Sequence, residues 1–113
     1  MKYSICSDTF PGWSVEDIFA LAKKTGYEAV ELATYTFCDS ILDVNETERE
    51  RIRASAAATG IAIAGFHALF TPIPNLRPLH SCPAWLQLNS ADPDIRERTK
   101  EYLKALIRFT GEV

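Results

Sequence analysis

The chain has 113 residues, 47% hydrophobic and 24% charged, with a formal net charge of -3. That mix suits one globular domain and gives no support to nucleic-acid binding by a basic surface. No apolar run approaches the roughly 20 residues of a membrane helix, and the start "MKYSICSDTF" carries no long apolar segment and no small-residue cleavage site.

"KYSIC", residues 2 to 6, alternates polar and apolar and reads as a first strand ending before Pro11-Gly12. Ser14 opens a helix, with Asp17 three residues on in a capping-box position. Val15, Ile18, Phe19 and Ala22 fall on one face, Lys23 and Lys24 suit the last turn, and Gly26 ends it. "AVELA", residues 29 to 33, is the second strand. Asn45 caps the second helix with Glu48 three residues later, and Ile52, Ala56 and Thr59 form its modest apolar face. Gly60 closes that helix. "IAIAGFHALF" is the third strand and the most apolar run, read as covered on both faces as in a parallel sheet. Residues 71 to 91 form a proline-rich loop with Pro72, Pro74, Pro78 and Pro83. Asp92-Pro93 opens the third helix, with Ile95, Thr99, Tyr102, Leu103 and Leu106 as its stripe.

The order β-α-β-α-β-loop-α implies a parallel sheet in one domain spanning residues 1–113. Thr25-Gly26 and Thr59-Gly60 each lead from helix into strand. Thr110-Gly111 repeats the junction, with Gly111 read as the left-handed residue past the helix end. A fourth strand is expected there, so the chain reads as truncated.

In such units chemistry gathers at the carboxyl ends of the strands. Glu31 sits in an apolar strand, where a carboxylate must face a polar cavity or a partner. It reads equally as a site residue or as a strand-end ion pair. His67 ends the third strand, as a site imidazole or a satisfied core histidine. Phe10, Trp13, Phe37 and Phe70 could stack on a sugar face but more commonly are core or rim. Asp8 and Asp39 are oxygen ligands or turn caps. Cys38, His67, His80 and Cys82 match no structural zinc spacing, and no nucleotide loop or serine-hydrolase elbow occurs. The odd number of cysteines, Cys6, Cys38 and Cys82, reads as reduced thiols in a cytoplasm.

"GYEAVEL", "GIAIAGFHALF" and "LQLNSADPDIRERTKEYLKALI" together resemble the sugar phosphate isomerase/epimerase family, the xylose-isomerase-like barrels. These share their architecture with apurinic-endonuclease-type repair enzymes. The resemblance spans nearly the whole chain but only the amino-terminal part of that domain. It implies the first three units of a (β/α)8 TIM barrel and a metal-dependent sugar or sugar-phosphate isomerase or epimerase. Glu31 and His67 would be its catalytic residues, with Phe10, Trp13 and Phe37 binding substrate. It also implies a divalent metal (Mn, Mg, Co or Zn) whose main ligands come from later strands, so no metal ligand is assigned here. The chain alone is then expected to be inactive and to self-associate. The alternatives are a split fragment serving as an assembly or binding module, a small flavodoxin-type domain, and an apurinic-endonuclease-like metal hydrolase. The acidic charge disfavours DNA as a partner.

Overall fold

The computed structural model describes residues 1–69 and 86–113. Phe70, His80, Cys82 and most of the proline-rich loop lie outside them. Three strands, β1 (Ser4–Cys6), β2 (Ala29–Ala33) and β3 (Ala62–His67), form a parallel sheet in the order β1-β2-β3. The helices are α1 (Val15–Thr25), α2 (Glu46–Thr59) and α3 (Pro93–Glu112), with short 3-10 turns after β1 and β2. This is the α/β βαβαβα order expected. Both outer strands are shorter at their ends than the apolar runs suggested.

The caps form as the residue types require. Ser14 Oγ accepts from the Asp17 amide, Asn45 Oδ1 from Glu48, and an Asp92 carboxylate oxygen from Asp94. Gly26 and Gly60 close α1 and α2 with φ of 87° and 67°, where a side chain would be strained. Gly111 departs from the expectation, because α3 runs through it to Glu112 and ends at Val113. Two arginines of α2 hold that last turn. Arg53 donates to the Glu112 carbonyl at 2.7 Å and Arg49 pairs with the Glu112 carboxylate at 2.5 Å. The Glu112 carbonyl, left without an amide partner at the helix end, is satisfied by Arg53.

One apolar core fills the space between sheet and helices. Val30 and Leu32 of β2 join Val15, Ile18, Phe19 and Ala22 of α1, Ile52 of α2, and Tyr102, Leu106 and Phe109 of α3. Ile5, Ile63 and Phe66 pack against it from β1 and β3. Since strand side chains alternate, Ser4, Cys6, Ala29 and Glu31 point to the other face. Ala62 and Ala64 are exposed, so β3 is not covered on both faces as its apolar run suggested.

The register of β3 slips by one residue. Val30 pairs with Ile63, but Glu31 pairs with Gly65, leaving Ala64 without a counterpart. Such a bulge reverses which face every later side chain occupies. Ile63 and Phe66, an odd number of positions apart, therefore both reach the core. Gly65 and His67 are turned out to the face of Cys6 and Glu31.

Candidate functional site

All three strands deliver a polar group to the same end of the uncovered face. Cys6 is the last residue of β1 and stands in register with Glu31. Its Sγ donates to Glu31 Oε2 at 3.2 Å. His67, the last residue of β3, brings Nδ1 to 3.6 Å from Glu31 Oε1. Its Nε2 lies 3.5 Å from Asp8 Oδ2, in the 3-10 turn after β1. One atom of each of Cys6, Glu31 and His67 falls within 4.8 Å of the other two.

The rim beneath this group is tied by side chains. Ser7 is fully buried; its Oγ accepts from the Ala33 amide at 2.9 Å and meets Thr36 Oγ1 at 3.1 Å. The Thr34 hydroxyl donates to the Ala68 carbonyl at 3.1 Å. These bonds continue the β1–β2 and β2–β3 ladders past the strand ends, tying the turn that carries Asp8 and the backbone at Ala68 to β2. Ala68 adopts φ of 54°, the sole left-handed non-glycine residue among those described. That conformation costs on the order of 1 kcal/mol, and it falls directly after His67, where strain commonly marks a site.

The electrostatics are lopsided. Glu31 and Asp8 supply two carboxylates against one imidazole. Burial, the hydrogen bond to Glu31 and the two nearby negative charges push the Cys6 thiol up to about 11. Burial, with Asp39, Asp43 and Glu48 nearby, lifts Cys38 to about 12. Neither is a reactive thiolate near neutral pH. Both are free cysteines. His67 Nδ1 is buried and has no hydrogen-bond partner.

The sequence-predicted pair Glu31 and His67 is therefore brought together. The aromatic candidates lie elsewhere. Phe37 stacks on Phe109 at 6.1 Å and meets Phe66 edge-on at 6.4 Å, within the core packing. Phe10 packs on Trp13 at 5.4 Å and lines a groove of about 530 Å³ with Tyr3, Ile5, Leu21 and Tyr27, beside β1 and the end of α1. Trp13 is 46% exposed. Asp39 lines a separate acidic depression with Asp43 and Glu48. Cys6 is the residue that sequence reasoning missed as a site member. The signal was its place as last residue of β1, the counterpart of Glu31 and His67 on their strands.

Among the described residues no helix is long and apolar enough to cross a membrane. No protein-family model matches the chain, and no curated protein matches it.

Proposed function

We propose that these three units are the amino-terminal part of a (β/α)8 barrel, and that the Glu31–His67 pair transfers protons on a sugar or sugar phosphate. The observation that carries this reading is the 3.6 Å approach of Glu31 and His67 at the carboxyl edge of the sheet. Two further facts support it. Among the described residues the strand order does not reverse and the core cluster lies on one sheet face, leaving the other for an enclosed barrel interior. A flavodoxin-type sheet instead reverses direction and is covered on both faces.

In this reading the Glu31 carboxylate takes the proton from a carbon next to a carbonyl. His67, held by Asp8, gives a proton to the carbonyl oxygen, forming an enediol. Glu31 delivers its proton to the former carbonyl carbon, and His67 takes one from the hydroxyl on the carbon that Glu31 first deprotonated, which becomes the new carbonyl. A divalent metal, when bound, polarises the carbonyl and hydroxyl oxygens. Among the described residues the donor set at the mouth is Cys6, Glu31, His67 and Asp8, which is short of the six oxygens that magnesium or manganese prefers.

The test is solvent exchange. The protein expressed from its full reading frame is incubated in D2O with Mn2+ or Mg2+ and a panel of aldoses, ketoses and their phosphates. Deuterium at the carbon beside the carbonyl, lost in Glu31→Gln, is the expected result. No deuterium in any sugar would overturn the reading.

The uncovered face also bears on partners. β1 and β3 each leave an edge unpaired among the described residues, and a three-strand sheet of this size buries little. The 113-residue chain is expected to self-associate through these edges, seen as concentration-dependent species in sedimentation velocity. A monodisperse monomer with strongly protected amides over residues 61–66 would instead make it an independent domain.

A further inference from the structure

The geometry points to a zinc site formed by Cys6, Glu31 and His67, with Asp8 positioning the imidazole and a fourth coordination position open. The three donors come from three different strands, and each strand is placed by backbone pairing, so the set is preorganised. Zinc bond lengths put neighbouring ligand atoms of a tetrahedral site roughly 3.4–3.6 Å apart. Cys6 Sγ to Glu31 Oε2 is 3.2 Å and His67 Nδ1 to Glu31 Oε1 is 3.6 Å. These distances run to the two different oxygens of Glu31, and the three ligand atoms lie within 4.8 Å of one another, so the set closes on an ion by side-chain rotation.

A second observation points the same way. His67 Nδ1 is buried without a hydrogen-bond partner and faces a carboxylate. Asp8 stands beside Nε2, the arrangement that keeps the proton on Nε2 and leaves the Nδ1 lone pair free for a metal. Two electron-rich atoms then face each other, a contact that a cation between them relieves. The ion's identity follows from the thiol. Sulfur with imidazole selects zinc, and cobalt as its spectroscopic substitute, over magnesium or manganese. On binding, the Cys6 S–H proton leaves to solvent as the S–Zn bond forms.

This inference does not need the isomerase reading. One consequence rests on that reading: zinc would occupy Glu31 and His67 and so block their proton transfer.

The probe is Co2+ titrated into the metal-stripped chain. One equivalent is expected to bind, with a sulfur-to-cobalt charge-transfer band that zinc abolishes. Cys6→Ser should remove the band and Cys38→Ser should keep it. Asp8→Asn should weaken cobalt binding by about 10–100-fold. Should Cys6→Ser fail to fold by circular dichroism, alkylation of the wild-type chain decides, with zinc expected to protect Cys6 but not Cys38. A band that survives in folded Cys6→Ser, equal labelling of both cysteines, or no cobalt binding overturns the proposal. Zinc binding without deuterium exchange in any sugar would sink the isomerase reading alone, and exchange without zinc binding would sink this one alone.

Discussion

His67→Ala, made in the protein expressed from its full reading frame, is expected to lower turnover about 10²–10⁴-fold, the usual span for losing a positioned acid or base. Its thermal midpoint should move by less than about 5 °C. The asymmetry follows from where the side chain stands. His67 is 29% exposed and belongs neither to the core nor to the hydrophobic side chains packed against it. Both ring nitrogens face carboxylates, Asp8 and Glu31, so polar contacts are what its removal takes away. The kinetic constant and the midpoint should be measured on the same preparation. A fall in stability matching the fall in rate would make His67 a structural residue.

Phe109→Ala acts on the opposite side of the sheet, and there stability takes the whole effect. Phe109 is 1% exposed. It meets Phe66 of β3 edge-on at 5.2 Å, stacks on Phe37 at 6.1 Å, and carries the Arg49 guanidinium 5.9 Å from its ring centroid. One side chain thus joins α3 to β3, to the turn after β2 and to α2. Deleting a buried phenylalanine costs about 3–5 kcal/mol, from a total that is only about 5–15 kcal/mol for a domain. A large drop in the urea midpoint with an unchanged slope is expected, at fixed protein concentration because association contributes to apparent stability. Phe109→Leu should lose about half as much or less. An alanine variant weakened by under about 1 kcal/mol would show that α3 does not hold the sheet.

How far the sequence speaks for itself depends on the range of the interaction. Ser14, Asn45 and Asp92 announce their helices because a cap is a bond to an amide two or three residues away. Gly26 and Gly60 announce the helix ends for the same local reason. Gly111 misleads because its helix is held by Arg49 and Arg53, about 60 positions away along the chain. Glu31 and His67 were legible as candidates because each is a costly group in an apolar strand. Cys6 was not, since a half-buried thiol breaks no rule of composition and only the register with Glu31 gives it meaning. The aromatic residues fail for a related reason. A phenylalanine near a strand end suits a sugar face or a core equally well, and packing alone sends Phe37 to the core.

The unpaired Ala64 has a consequence for how this strand can change. Along a pleated strand the side a residue faces is a matter of parity, odd or even from a fixed start. Ala64 adds one to the count, so everything carboxyl-terminal to it obeys the opposite rule from everything before it. Removing that one residue would therefore restore unbroken alternation from Ile63, with Phe66 two positions on still in the core and His67 still beside the carboxylates. The strand can lose Ala64 without turning over, yet an ungapped comparison with an unbulged strand would assign Phe66 to the mouth and His67 to the core.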